Sequence, residues 1–399
     1  MRHRRRLGGG LATVALTACL LAVWPAQAQQ EAVGQEEPEM KKAIMCVDFF
    51  DLCYYADWAE DRLYTPEDIR SLFEECKAAG ISEVLWRLSA CGSAVYQSEV
   101  EDRNFRDDPR APAHAVADFI DQWDPLHQAC TLGHQIGLPV YAWITVYDEG
   151  LPEMGHMSAL LREHPEYQWV DRTGELYLTG VPCYAFPEAR RFRVRMVEEI
   201  CRYPVDGVFI SLRSHAHAND AYSRIPDGEQ FGYEEPIVEE YRRRHGVDIR
   251  TEEFDEEAWH ALKGEYFTQL LREIREVVGP WRELQVIALD WYEGPTSKSR
   301  HDLDYEAWAE EGLVDAVYAT ANFKVPPADF DDKYAFIRDL GMDLYCFRGI
   351  PDEDATWENI PTLMEAVEGT AFQGLALMEA YKFQILRGQT REELGETRE

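Results

Sequence analysis

Residues 124–145 read DPLHQACTLGHQIGLPVYAWIT, and this stretch contains one complete unit in which a helix leads into a strand. Asp124 and Pro125 mark the helix start, because an N-cap aspartate accepts hydrogen bonds from the first turn and proline suits the first helical position. Gly137 is the kind of residue at which helices commonly end, since it adopts a left-handed conformation without strain. The apolar run at residues 139–145 then predicts a buried strand.

The same alternation of apolar runs with helical patterns continues along the chain and predicts βα units around a parallel sheet. Thr65 and Pro66 open another helix, which Gly80 closes. No Gly-x-Gly-x-x-Gly follows a predicted strand, which disfavours a doubly wound dinucleotide fold. We therefore predict an α/β fold, a (β/α)8 TIM barrel with long βα loops. Its eight strands are expected at residues 43–49, 83–88, 139–145, 207–212, 284–289, 316–320, 343–347 and 373–378.

The lengths of the predicted connections distinguish the two ends of this barrel. Helix-to-strand links, such as residues 79–82 and 203–206, span only a few residues. Because barrel enzymes build their sites from βα loops, we expect the functional site at the carboxyl ends of the strands. The strand-to-helix links there are much longer and are expected at residues 89–123, 146–187, 213–232 and 290–303.

The two ends of the chain are expected to lie outside the barrel. The chain begins with arginines before an apolar run, and Ala26-Gln27-Ala28 then forms a cleavage site, as in a secretory signal peptide. Lipidation at Cys19 is the alternative, although the apolar run continues past that cysteine. Either way, we predict a secreted or periplasmic protein. The predicted segments are a signal peptide at 1–28, a disordered linker at 29–41, the barrel at 42–387 and a disordered tail at 388–399.

Acidic residues dominate the charge of the chain, with 74 Asp and Glu against 40 Lys and Arg and a formal net charge of −34. This charge opposes binding to nucleic acid and to strongly anionic polymers. The apolar run of the leader is too short to span a membrane. The cysteines include no CxxC pair, and most are expected to be small buried residues. Composition points to no cofactor and leaves the oligomeric state open.

Charged, amide and aromatic side chains collect at the predicted carboxyl ends of the strands, where Asp148 and Glu149 also lie. Such a set is typical of a sugar site, because rings stack on the apolar faces of pyranoses and polar groups bind hydroxyls. Arg87 stands just inside the end of an apolar strand, where a charge needs a partner. We predict that the substrate is bound by Asp48, Arg87, Trp143, Tyr147, Arg213, His215, Trp291, Asn322 and Arg348.

Most glycosidases need two carboxyl groups. One is protonated and donates its proton, and the other is ionised and acts as nucleophile or base. Asp290 directly follows the fifth predicted strand and Glu379 directly follows the eighth, so both are expected to point into the barrel mouth. Glu293 is the third catalytic candidate. The alternative for all of them is a buried ion pair with an arginine at the strand ends.

His215 and His217 offer a different chemistry. At strand-like spacing both rings would lie on one face, and Asp290 or Glu379 could complete a metal site. However, this pair stands in a loop rich in polar residues, where histidines more often hydrogen-bond or are exposed. A metal-dependent sugar enzyme is therefore kept as an alternative, and no metal is predicted.

Short motifs between Pro66 and Leu212 occur in an order and spacing that resemble the glycoside-hydrolase-like family 10 proteins. Beyond this region the resemblance thins to the alternation of strands and helices. It implies a secreted or periplasmic barrel that hydrolyses glycosidic bonds of polysaccharides, bacterial cell-wall glycans among them. The motifs are AGISEV at 79–84, GSAVYQS at 92–98, DPL at 124–126, HQIGLPVYAW at 134–143, HPEY at 164–167, DRTG at 171–174, PEAR at 187–190 and VDGV at 205–208.

One position departs from the pattern of that family. After the Asp-Gly of the fourth strand the family carries a carboxylate, where this chain has Ser211. Either Asp290, Glu293 and Glu379 carry the reaction, or the barrel binds glycans without cleaving them. We predict a secreted glycoside hydrolase with a two-carboxylate mechanism and a glycan as its partner, with a non-catalytic glycan-binding barrel as the alternative.

Overall fold

A computed structural model of the chain describes residues 40–52, 64–103, 105, 111–151, 156–212, 231–289, 301–320 and 325–385. Eight parallel strands of these residues close into one barrel, in which each strand pairs with its neighbours in the chain and the last pairs with the first. The predicted TIM barrel is confirmed. The strands are β1 (Lys42–Asp48), β2 (Glu83–Arg87), β3 (Val140–Thr145), β4 (Gly207–Ser211), β5 (Glu283–Leu289), β6 (Ala316–Thr320), β7 (Asp343–Gly349) and β8 (Gly374–Met378).

Helices follow the strands along the chain, as a (β/α)8 fold requires. The longest is amphipathic and buries apolar residues against the barrel. The α-helices of the described residues are α1 (Pro66–Ala78), α2 (Ala111–Trp123), α3 (Pro125–Ile136), α4 (Ala159–Glu163), α5 (Pro187–Ile200), α6 (Glu235–His245), α7 (Glu256–Val278), α8 (Tyr305–Glu310), α9 (Asp331–Tyr334), α10 (Phe336–Asp339), α11 (Ile360–Met364) and α12 (Tyr381–Ile385). Single 3-10 turns occur at Pro165–Tyr167, Pro327–Asp329, Asp352–Asp354, Trp357–Asn359 and Glu365–Val367.

The predicted helix boundaries at α3 are confirmed. The side chain of Asp124 accepts a hydrogen bond from the backbone nitrogen of Leu126 at 3.2 Å, and Gly137 ends the helix with φ of 78°. Two connections differ from the prediction, and one of them, expected as a loop at 146–187, contains the short helix α4. The stretch expected as a single loop at 89–123 contains the whole of α2, which lies directly before α3.

The loops that follow β2 and β3 contain short hairpins at the carboxyl end of the barrel. One joins Ser89–Ala90 to Ser93–Ala94 after β2. Two more follow β3, where Gly150–Leu151 pairs with His156–Met157 and Gln168–Val170 pairs with Tyr177–Pro182. These hairpins build the rim on which the candidate site lies.

The amino-terminal end of the barrel interior is closed by hydrogen-bonded polar side chains. The buried Glu83 contacts Lys42 Nζ at 3.3 Å, and the hydroxyl oxygen of Tyr318 lies 3.3 Å from Glu83 Oε1 and 3.1 Å from Gln285 Oε1. Burial raises the pKa of Glu83 above its ordinary value, although the charge of Lys42 opposes this. Because side chains fill this end, a substrate must approach from the carboxyl ends of the strands.

Two expectations from composition also meet the structure. Cys46, Cys76, Cys130 and Cys346 are buried as expected. Cys91 and Cys201 are partly exposed instead, because both lie in turns beyond the ends of a strand and a helix. In the described residues, no helix combines the length and the apolar character needed to cross a bilayer.

Candidate active site

The carboxyl ends of β1, β2 and β3 bring together Asp48, Arg87 and Asp148, which we call the mouth triad. Arg87 Nη1 lies 2.5 Å from Asp48 Oδ2, and Arg87 Nη2 lies 3.2 Å from Asp148 Oδ2. Arg87 Nε donates a third hydrogen bond to the carbonyl of Ser89 at 3.0 Å. All three members of the triad are buried, so the charges face one another rather than water.

Register and stacking explain the position of the arginine. Asp48 and Arg87 are directly paired residues of neighbouring strands, which aligns their side chains on one side of the sheet. The guanidinium also lies 5.3 Å from the ring centroid of Trp143, within range of a cation–π contact. Burial opposes the charge of Arg87, but the attraction of Asp48 and Asp148 outweighs it and raises the pKa of Arg87 above its ordinary value.

The hairpin after β2 holds Asp148 from the other side. The backbone nitrogen of Cys91 donates to Asp148 Oδ2 at 3.0 Å, and that of Gly92 donates to the carbonyl of Asp148 at 2.8 Å. Gly92 has a φ of 73°, and a Cβ at this position would lie 2.4 Å from the carbonyl oxygen of Glu149. Only glycine fits this close approach, which locks the two loops together.

Trp143 and Tyr147 are both packed into the protein. Trp143 is 1 % exposed and lies edge-on to Phe209 and Phe347 inside the barrel. Tyr147 contacts an aromatic cluster that includes Trp169, and its hydroxyl lies 3.4 Å from His301 Nε2. Neither ring offers an exposed face on which a sugar could stack.

Glu379 and Arg348 lie on the strands next to the mouth triad. Glu379 directly follows β8 and is half-buried, and the Met378–Glu379 peptide bond is cis. Because Met378 lies opposite Cys46 of β1, Glu379 stands beside the strand that carries Asp48. Arg348 is half-buried on β7. Five neighbouring strands, from β7 through β8 and β1 to β3, thus carry the described part of the site.

The strands β4 to β6 complete the barrel, and β4 lies directly beside β3. Ser211 ends β4 and is completely buried, and its carbonyl accepts a hydrogen bond from Val146 at 3.0 Å. No group of three or more His, Cys, Asp or Glu suited to a metal occurs within the described ranges. Several predicted site residues lie outside those ranges, namely Arg213, His215, His217, Asp290, Trp291, Glu293 and Asn322.

Sequence reasoning gave no role to two residues that the structure ties to this site. Asp148 was recognised only as one of several residues near a strand end, because nothing in the sequence shows that it faces Arg87. Arg193 lies in the helix α5, where an arginine ordinarily faces water, yet it is buried and forms an ion pair with Glu149. The only available signal was the pair of adjacent acids at 148 and 149, which need partners if they are buried.

Comparisons with known proteins agree with this architecture. The family described as Glycosyl hydrolase-like 10 matches residues 53–329. The catalytic domain of β-amylase from Paenibacillus polymyxa shares 9 % identity at a TM-score of 0.57, covering 86 % of this chain and 93 % of that one. α-L-Fucosidase isoenzyme 2 from Paenibacillus thiaminolyticus shares 13 % identity at a TM-score of 0.52, covering 86 % of this chain and 48 % of that one. At such identities the likeness concerns the fold alone, and no curated protein sequence matches the chain.

Proposed function

The chain belongs to the glycosyl hydrolase-like 10 family, and we propose that it is a glycoside hydrolase that cleaves glycosidic bonds of a polysaccharide or oligosaccharide. One observation carries the proposal. Four consecutive strands of a closed barrel deliver Glu379, Asp48, Arg87 and Asp148 to one end, at or just after their carboxyl termini. That end is where barrel enzymes bind and convert their substrates.

Asp290 and Glu379 are the proposed catalytic pair, with Glu293 as the substitute if either has a structural role. Glycosidic cleavage needs one carboxylic acid to protonate the leaving oxygen and one carboxylate to act as nucleophile or base. In the barrel order, β6 and β7 separate β5 from β8, and the proposal is that the two carboxylates act from different sides of the mouth. Asp48 and Asp148 are less suited to the chemistry, because Arg87 engages both of them.

The remaining site residues are proposed to bind the glycan. Arg87 is held rigidly by the mouth triad, and a fixed guanidinium at the barrel mouth is oriented in advance for polar groups of a sugar. Arg348 extends this surface along β7. The same role is proposed for Arg213, His215, Trp291 and Asn322.

We also propose that the protein is exported, because residues 1–28 have the charged start, apolar run and small-residue ending of a signal peptide. Export would place the enzyme where polymeric glycans are found. Lipid attachment at Cys19 is the alternative form of the same export.

The catalytic pair is tested with Asp290→Asn and Glu379→Gln, which keep side-chain size and most hydrogen bonding. Each should lower turnover by at least roughly 10²-fold, since acid–base groups contribute on that order. Peptidoglycan sacculi, chitin, starch and xylan serve as substrates, with detection of new reducing ends. Glu276→Gln, an exposed carboxylate on α7, is the matched control and should leave turnover unchanged. Parental rates in both site variants would show that the assignment is wrong.

A non-catalytic glycan-binding barrel is the second candidate, because the buried Ser211 stands at a strand end where an acid is expected. A parent protein that retains one of these polysaccharides on affinity gels but releases no reducing ends would establish this function instead. Elemental analysis of the purified protein tests the metal-dependent alternative at His215 and His217. A stoichiometric metal would favour it, and its absence would remove it.

A further inference from the structure

Behind the mouth triad lies a second buried group of charges, formed by Glu101, Glu149 and Arg193, which we call the rear cluster. Arg193 extends from α5 and forms an ion pair with Glu149. Its side chain is only 2 % exposed, and those of both glutamates are buried as well. The cluster therefore lies in the interior, between one outer helix and the loops that follow β2 and β3.

The rear cluster is costly to bury. Burial lowers the pKa of Arg193, although the charge of Glu101 opposes this. Burial likewise raises the pKa of Glu101 to about 8, with Arg193 acting against it. Among the described residues, Arg193 Nε and one oxygen of each glutamate have no hydrogen-bond partner. Apolar residues of similar volume are often no less stable than such a buried ion group, so stability alone does not account for its presence.

The geometry connects the rear cluster to the mouth triad through two consecutive residues. Glu149 follows Asp148 directly in the chain, so the ion pair with Arg193 fixes the backbone that carries Asp148. The backbone nitrogen of Glu149 also donates to the carbonyl of Gly180 at 2.8 Å, which ties the same point to the next hairpin. Asp148 then faces the other way and contacts Arg87.

The helix α5 fixes the other loop as well. Glu199, one residue from its end, accepts hydrogen bonds from the hydroxyls of Tyr96 at 2.7 Å and Ser98 at 2.6 Å. The backbone nitrogen of Glu99 donates to the same carboxylate at 2.6 Å. Two charged residues of one helix thus hold the two loops whose tips meet at Asp148.

We propose that Arg193 is a positioning residue of the candidate active site: through Glu149 it holds Asp148 against Arg87. The substrate-binding geometry of Arg87 is then set by a helix residue that touches no substrate. This inference rests on the proposed function, since the surface that Arg193 positions is the one proposed to bind glycan hydroxyls.

The proposal predicts a specific kinetic change. In Arg193→Met the glycan KM should rise about tenfold, which is the scale of coupling through packed networks, while kcat stays within about twofold. The split is expected because the proposed catalytic carboxylates follow β5 and β8 in the sequence, whereas Asp148 follows β3. Arg193→Lys keeps a positive charge and should restore part of the affinity. A loss of folded protein alone would lower the apparent kcat and leave KM unchanged.

Lys263→Met is the matched control, because Lys263 is also a buried cation near a βα loop but binds the carbonyl of Phe231 at 3.2 Å instead. It should reduce thermal stability without raising KM. If Arg193→Met does not fold, Glu149→Gln removes the other half of the ion pair and should raise KM in the same way. An unchanged KM in the folded variant would overturn the proposal.

A second measurement separates this inference from the proposed function. Hydrogen exchange followed by mass spectrometry reports on the amides of Cys91 and Gly92, which Asp148 holds. Arg193→Met should speed their exchange by about tenfold or more, whereas Lys263→Met should not. If the parent neither binds nor cleaves any of the polysaccharides, the proposed function is wrong. The exchange rates then still test whether Arg193 holds Asp148 in place. Equal exchange in parent and variant would refute it.

Discussion

Replacing Arg87 by leucine should destabilise the barrel strongly, because it leaves Asp48 and Asp148 buried without their cation. Removing one partner of a buried ion pair costs about 3–5 kcal/mol. Arg87 has two carboxylate partners and a third hydrogen bond to Ser89, so the upper half of this range is expected. With an unfolding entropy of about 2.1 cal/mol/K per residue, a domain of roughly 350 residues would melt about 5–7 °C earlier.

The assay is calorimetric unfolding of the parent and of Arg87→Leu from about pH 7 down to about pH 4. Protonation of the two stranded carboxylates removes their charge, so the deficit of the variant should shrink as the pH falls. The double variant Arg87→Leu/Asp48→Asn should lose less than the sum of the single changes, by about 1 kcal/mol or more. A variant that melts within about 1 °C of the parent at pH 7 would refute the reasoning.

Two further predictions concern the fold and the export of the protein. Burial raises the pKa of Glu234 from 4.5 to about 7. The folded state should therefore lose stability as the pH rises between these values, because the buried carboxylate becomes charged. Glu234→Gln should remove up to about 3 kcal/mol of that loss, which urea unfolding midpoints at both pH values would show. A parallel pH dependence in both proteins would contradict this. Expression in a bacterial host should give a mature chain that starts at or near Gln29 by amino-terminal sequencing, whereas a start at a lipid-modified Cys19 would contradict the predicted cleavage.

The sequence predicted the barrel closely because each strand is a short apolar run between a helix end and a polar loop. The predicted β6 at 316–320 has the observed bounds, and the others differ by at most two residues at either end. The hairpins beyond the strands were not predicted. Strands of two residues, such as Ser89–Ala90, carry no periodicity that could reveal them, and they form only because the loops pack on each other.

The site was predicted by position but not by contact. Asp48, Arg87 and Glu379 were selected because they stand at strand ends, and the structure describes them at the carboxyl end of the barrel. The sequence could not show which charges form pairs, because the contact between Arg87 and Asp148 depends on how two loops pack together. Trp143 shows that a position near a strand end does not by itself make a side chain accessible. Its place near a strand end suggested a stacking surface, but strand alternation turns it into the barrel, where it is buried.

In the described part of the site, the buried ion pairs lie on one side, and this arrangement bears on mechanism. Between β8 and β3, the mouth triad and the rear cluster are buried, paired and locked to α5, which makes this wall rigid. A rigid wall suits recognition, because a fixed guanidinium loses little freedom when it binds hydroxyls. A proton donor has a different requirement: its pKa must lie near the working pH, and a carboxyl engaged by an arginine stays ionised. Glu379 has no ion pair of this kind among the described contacts. If the proposed roles hold, changes at Arg87 or Arg193 should alter affinity before they alter turnover.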